Sequence, residues 1–322
     1  MAEYVLGIDI GGTNTKYGLV DQEGNVTNEG SFPTQADADI NAFLTLLHSH
    51  VHELIENNQV IGAGVGAPNG NYYRGTIEHA PNLNWGEIVE FRELFENKFK
   101  IKVALTNDAN AAALGEMLFG GAKGMKDFVV FTLGTGLGSG IVVDGKLVYG
   151  YSGMAGEIGH VSVNPDGRHC ACGRKGCLET YVSATGIKRT VSKLMADYTR
   201  PSVLRDIPYN QIDGKVITDA AKNHDFIAIK AFEYTGKILG QKLADTVLHT
   251  SPKTIFLFGG LVKAGDYLLE PAKHYMEEKM FKPFKNQVDL RASSLMDKNA
   301  AVLGAAALGW TEFSKDKEAM NV

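Results

Sequence analysis

No apolar run in this sequence approaches the roughly 20 residues that a membrane-spanning helix needs, and the start lacks the charged and apolar regions of an export signal. Neither membrane insertion nor secretion is indicated. Basic clusters are missing too: 32 Lys and Arg are scattered among 37 Asp and Glu, for a formal net charge of −5 and a pI near 6.0. That leaves no electrostatic footprint for nucleic acid. No low-complexity linker divides the chain, so a domain boundary must fall at a junction between elements. Cysteine is scarce, at three residues, all within eight positions of one another. Reduced, metal-binding thiols fit a cytoplasmic protein.

What is present is enough for a large core. A chain of 322 residues with 44% hydrophobic content is expected to form two domains. Glycine, at 37 residues, is in excess and concentrates in short loops after apolar runs.

The three cysteines lie in G-E-I-G-H-V-S-V-N-P-D-G-R-H-C-A-C-G-R-K-G-C-L-E, residues 156–179. Cys170, Cys172 and Cys177 form C-x-C-x4-C with Gly173 and Gly176 between them, and His160 offers a fourth ligand. Four protein ligands suit structural zinc, since a catalytic zinc keeps one position for water. His169 is a rival fourth ligand, but it adjoins Cys170, and adjacent side chains seldom reach one tetrahedral centre. Glu157 and Glu179 bracket the loop. A metal clip would hold both acids in place, which suggests a site for a neutral ligand with many hydroxyls.

Residues 4–10 are an apolar strand ending in D-I-G-G-T-N-T-K, and the strand pattern resumes at 17–21. This predicts a β-hairpin whose tip, Gly11, Gly12, Thr13 and Asn14, either simply turns the chain or lets backbone N–H groups approach a phosphate. Asp9 would face the same space and could hold Mg2+ through water. The architecture recurs: a strand at 128–133, a tip at 134–140 (G-T-G-L-G-S-G) and a return at 141–143. Two such hairpins suggest a duplicated fold whose halves face each other across a cleft. A third candidate is the strand at 254–258 with Gly259-Gly260 and a helix from Ala264 onwards, either a nucleotide rest or a plain connection.

Helical spacing predicts helices over 40–55, 184–198 and 225–249, and an Ala-rich helix over 299–313 that packs back on the first half. His48 and His52, four apart on the first of these, read as a solvated face. A strand at 101–105 runs into a helix mouth with Asn107 and Asp108, where such residues also serve as caps. In the loops between, Asn82 offers an amide and Trp85 an apolar plate of the kind sugar sites use, as surface turns also do.

Taken together, these residues resemble the ROK family of repressors, open reading frames and kinases, within the sugar kinase/Hsp70/actin superfamily. D-I-G-G-T is similar to the family's first phosphate loop, L-G-T-G-L-G-S-G to its second and F-G-G-L to its adenosine segment, while G-E-I-G-H-x9-C-x-C-x4-C-x-E matches the family signature at each fixed position. The resemblance covers essentially the whole chain. It implies an α/β, two-domain actin-like ATPase fold with an interdomain cleft; the junction at 119–123, where F-G-G-A-K-G interrupts the helix from Asn110, and the returning last helix set the smaller domain at 1–119 plus 300–322 and the larger at 120–299. It implies ATP-dependent phosphorylation of a hexose at the 6-hydroxyl, glucose first, with an N-acetylhexosamine as the alternative substrate. Asp108 would be the general base, and Gly70, Asn82, Asn107, Asp108, Glu157, His160 and Glu179 would surround the sugar. Asp9, Gly11, Gly12, Thr13, Asn14, Lys16, Gly134, Thr135, Gly136, Gly259 and Gly260 would meet ATP and Mg2+, and His160 would touch both zinc and sugar. A homodimer is expected on the same ground. A sugar-responsive repressor, the reading of another class, would need a helix-turn-helix ahead of the first hairpin, and that hairpin begins at Tyr4.

Overall fold

The computed structural model describes residues 2–296 and 298–320, the side chains of the last six excepted. The chain forms two compact units: 1–125, 147–155 and 294–322 make the first, and 126–146 and 156–293 the second. Segments 120–125, 147–155 and 294–299, assigned from sequence to the second domain, thus belong with the first unit. The reason for the middle one is visible at Asn71, whose Nδ2 donates to Ser152 O at 2.9 Å, while Tyr149 stacks on Tyr72 at 4.0 Å.

In the first unit β1 (Glu3–Ile10) and β2 (Asn14–Val20) form the first hairpin, followed by β3 (Val26–Pro33), which the sequence reading missed. Helix α1 (Ile40–Asn57) starts at an Asp39 cap and buries Phe43, Leu44, Leu47 and Val51. Then come β4 (Gln59–Gly66), the small sheet β5 (Gly70–Asn71), β6 (Thr76–Glu78) and β7 (Ile88–Val89), helix α2 (Phe91–Phe99), β8 (Val103–Thr106) and α3 (Asp108–Phe119). The main sheet has the order β3-β2-β1-β4-β8, antiparallel in the hairpin and parallel from β1 to β8.

The second unit repeats this plan. Strands β9 (Phe128–Leu133) and β10 (Leu137–Val143) form a hairpin extended by β11 (Lys146–Leu147), and after the cysteine loop come α4 (Ala184–Asp197), α5 (Gly214–Lys222) and α6 (Phe226–Thr250). Strand β12 (Thr254–Phe258), helix α7 (Asp266–Lys279) and β13 (Asp289–Ala292) complete it. The order β11-β10-β9-β12-β13, with β12 and β13 parallel to β9, reproduces the first sheet position for position. The tip is shorter than its glycines suggest: Leu137 already pairs with Leu133, so Gly138 and Gly140 are strand residues. A 3-10 turn, Gly260–Ala264, separates Gly259 from α7, so the glycine pair does not open directly into a helix N-terminus.

Helix α8 (Ala300–Met320) returns to the first unit. Its small residues bring backbone onto backbone. A Cβ at Gly64 would lie 1.9 Å from Ala305 O and one at Gly7 2.4 Å from Val302 O, so those strand positions admit only glycine. The same helix packs against α3, where Gly115 meets Gly304, and its Trp310 donates to Val20 O. Close fit of this kind is worth more than the area of Ala and Gly side chains implies, because dispersion contacts extend along whole backbones. Among the described residues no helix is long and apolar enough to cross a membrane.

Candidate active site

In the first unit the ends of β1 and β8 bring two acids together. Asp9 is the penultimate residue of β1, and Asp108 opens α3 immediately after β8. A Cβ placed on Gly66, at the end of β4 between those strands, would lie 3.9 Å from Asp9 Oδ1 and 3.7 Å from Asp108 Cα. Burial, then the charge of Asp108, pushes the Asp9 carboxyl up to about 6, against the lowering pull of Lys16, its cross-strand partner. Burial also raises the Asp108 pKa, although N–H groups of Ala109 and of its own backbone offset part of that shift. Asp108 is nonetheless solvent-accessible. The two observations agree for a carboxyl that a water or a substrate hydroxyl can reach while low-dielectric protein surrounds it at longer range.

Local chemistry sets the position of Asp108. Asn107 caps α3, its Oδ1 accepting from Asn110 N at 2.7 Å. Asp108 Oδ1 accepts from Ala109 N at 2.9 Å, which fixes one carboxylate oxygen. Gly70 lies against the approach to this corner, where its Cβ would meet Thr106 O at 2.4 Å. Asn82 is exposed and lies beside the first hairpin, 2.7 Å from a Cβ on Gly12. Trp85 is not an exposed plate: its ring packs on Phe43 at 4.6 Å at the edge of the first unit's core.

The first hairpin tip is held from one side. Thr34 Oγ1 donates to Gly11 O at 2.7 Å, and Thr34 N donates to Thr13 O at 2.9 Å. With those carbonyls engaged, the N–H groups of Gly12 and Thr13 have no protein acceptor among the described residues. Thr34 was not picked out from sequence, since nothing local separates it from any other residue after a strand.

The second unit assembles its candidates around the cysteine loop. Ligand atoms of His160, Cys170, Cys172 and Cys177 all lie within 4.8 Å of one another, with Cys170 Sγ 3.7 Å from His160 Nδ1 and Cys172 Sγ 3.7 Å from Cys177 Sγ. A tetrahedron with spokes of about 2.3 Å has edges of about 3.7 Å, so the donor set fits zinc. Burial pushes the Cys170 thiol up to about 12. His169 lies outside this group, exposed on the short bridge to Lys175. His160 turns Nδ1 to the sulfurs and Nε2 towards Glu157 Oε2, 3.9 Å away.

Glu179 occupies a junction. Its Oε1 lies 3.7 Å from Cys170 Sγ, and its Oε2 accepts from Leu137 N at 3.0 Å, at the base of the second hairpin tip. A Cβ on Gly136 would lie 2.5 Å from that oxygen, so only glycine allows the carboxylate this close. On the other side of the tip, Ala184 N donates to Gly134 O at 2.8 Å and Thr185 Oγ1 to Thr135 O at 2.9 Å. Gly259, at φ +112°, sits against Leu133 O next to the same tip.

A family model described as the ROK family matches residues 5–312. The chain belongs to the ROK family. Among curated relatives it is similar to glucokinases of Streptomyces coelicolor, 36% identical over 94% of this chain and 96% of that one, and of Halalkalibacterium halodurans, 33% identical over 95% and 94%. Among solved structures it is similar to a ROK family glucokinase from Streptomyces griseus in complex with glucose and AMPPNP, with a TM-score of 0.82, 32% identity, and coverage of 95% of this chain and 98% of that one. The ROK fold of the actin-like ATPases accounts for the repeated sheet plan of the two units.

Proposed function

We propose that this ROK protein transfers the γ-phosphoryl group of ATP to the 6-hydroxyl of glucose, with Asp108 as general base. The observation that carries the reading is the accessible Asp108 carboxyl at the mouth of α3, raised in pKa by its surroundings and adjacent to Asp9 at the root of a glycine hairpin. A sugar hydroxyl is a poor nucleophile, so a carboxylate must accept its proton as the bond to phosphorus forms. Asp108 has one oxygen fixed by Ala109 N and the other available for that proton. Its raised pKa makes it a stronger base than an ordinary surface aspartate, which is the direction the chemistry requires. The similarity to glucokinases over nearly the full length of both chains selects glucose within this reading.

The amides of Gly12, Thr13, Thr135 and Gly136 are the donors we assign to the phosphates, with Gly11, Gly134, Asn14, Lys16, Gly259 and Gly260 in the same nucleotide set. Asn82, Gly70, Asn107, Glu157, His160 and Glu179 are assigned to the sugar, where ionised acceptors favour a polyol over an apolar ligand. Mg2+ would be held through water by Asp9, whose carboxyl is raised by burial and then by Asp108, a repulsion a cation would relieve; when bound it would neutralise charge on phosphoryl oxygens. Zinc fits His160, Cys170, Cys172 and Cys177 as a structural ion that braces the loop. A homodimer is inferred from the family alone, and light scattering would test it; a cytoplasmic location is inferred from the reduced, metal-binding thiols.

A coupled ADP-release assay across glucose, mannose, fructose, N-acetylglucosamine and N-acetylmannosamine tests the function. Glucose should give the highest kcat/KM, and ADP release with none of them would overturn the reading. In Asp108→Asn, kcat should fall by about 10²–10⁴ while calorimetry still detects glucose. Normal turnover would remove Asp108 as the base.

A further inference from the structure

The second hairpin tip has three residues outside its strands, Gly134, Thr135 and Gly136, and its polar groups divide into two classes. Gly134 N closes the turn on Gly136 O at 3.0 Å, Ala184 N takes Gly134 O, Thr185 Oγ1 takes Thr135 O, and Glu179 Oε2 takes Leu137 N. Of the tip's backbone groups, the amides of Thr135 and Gly136 are left without a protein partner among the described residues, with the Thr135 hydroxyl beside them. The carbonyls of the tip are consumed and two backbone donors are left.

Three of these four contacts have one source. Glu179, Ala184 and Thr185 belong to one short stretch, locked by Ser183, whose Oγ accepts from Gly186 N at 3.0 Å and donates to Glu179 O at 2.7 Å. Glu179 also lies beside the metal-ligand cluster through Cys170. We propose that Glu179 and Thr185 are positioning residues for the nucleotide: they hold the second hairpin tip so that the Thr135 and Gly136 amides converge on a phosphate, and thereby tie ATP affinity to the integrity of the cysteine loop. The proposal rests on the ATP-dependent reading above and gives Glu179 a second task besides the sugar, with Thr185 a task of its own.

The chemistry separates the two residues. Thr185 is exposed and reaches the tip only through its hydroxyl, which also pairs with Ser183 Oγ at 3.0 Å, so Thr185→Val removes both hydroxyl contacts at nearly constant shape, and Thr185→Ser keeps them. Loss of one neutral hydrogen bond that orders a binding loop is worth about a three- to tenfold change in affinity. At Glu179 the carbonyl of Gln can still accept from Leu137 N, whereas Ala cannot.

The test measures AMPPNP binding to the intact protein by calorimetry, without sugar, and KM for ATP and for glucose separately. Thr185→Val should weaken AMPPNP and raise KM for ATP about three- to tenfold with KM for glucose unchanged, and Thr185→Ser should restore both. Glu179→Ala should weaken AMPPNP as well as glucose, and Glu179→Gln should keep AMPPNP affinity within about twofold of the parent. Unchanged AMPPNP affinity in Thr185→Val, or equal losses in Glu179→Gln and Glu179→Ala, would overturn the proposal. If the parent protein binds AMPPNP but phosphorylates no hexose, the functional reading fails while the positioning claim is still decided by calorimetry.

Discussion

The first glycine hairpin is clamped by Thr34, at the end of the strand that follows it, whereas the second is clamped by Glu179, Ala184 and Thr185, the last of them 50 positions from the tip residue it holds. Both tips have carbonyls engaged, Gly11 O and Thr13 O in the first and those of Gly134, Thr135 and Gly136 in the second, and amides left over, by supports of different kinds. Local closure makes the first tip a property of its own three-stranded segment. The second tip inherits its order from a loop that is irregular, glycine-containing and dependent on side-chain ligands. Duplication of a sheet therefore does not duplicate the conditions under which its active loop is ordered.

Removing the metal site should separate the two hairpins most sharply. Cys172→Ser is expected to lose bound zinc and on the order of 3–5 kcal/mol of stability in the second unit. Amide exchange would then quicken at Leu137 and Gly134, with Gly11 and Asn14 unaffected; equal quickening at both tips would break the contrast.

A smaller effect separates the tips by pH. Asp9, at the root of the first hairpin, has a folded pKa of about 6 against 3.8, so the folded state holds its proton more tightly than the unfolded chain does. Stability should therefore fall as pH rises from about 4 to about 6, and the charged carboxylate should cost about 2–3 kcal/mol above that range. Asp9→Asn should raise Tm at pH 7.5, with the gain vanishing below pH 4 where both forms are neutral. The acid limb of kcat/KM should lie above the ordinary carboxylate range, because lowering pH protonates the raised Asp108.

Thr34→Val should cost about 1–3 kcal/mol, since Thr34 is fully buried and its hydroxyl serves both Gly11 O and Thr15 Oγ1. Unlike a change in the cysteine loop, it should leave zinc content intact by elemental analysis. Least of all, His169→Ala should change neither metal content nor Tm measurably, as its ring takes no part in the ligand cluster.

The parts of the molecule readable from sequence are those whose chemistry is local. C-x-C-x4-C needs only ligand spacing, and a glycine tip between apolar strands needs only the alternation around it. Asp108 was legible at a helix mouth, but its pairing with Asp9 joins residues 99 positions apart through β4. The tie from Glu179 to Leu137 was hidden for the same reason: a carboxylate next to a cysteine motif reads as part of that motif, and nothing in sequence reveals which oxygen a distant amide will claim. Trp85 misled because an aromatic in a polar loop looks like a ligand platform until Phe43 is found against it. Strand β3 is polar on one face and too irregular to announce itself.

Helix α8 carries one more consequence. Its carbonyls press on Gly7 and Gly64, so the first unit lacks a packing layer until α8, which follows the whole second unit in sequence, has been translated. During synthesis the sheet bearing the first hairpin must wait, partly unsealed, while every element of the second unit leaves the ribosome. A nonsense codon anywhere upstream of Ala300 would strand that sheet without its cover, and chaperone demand on the nascent chain should peak late.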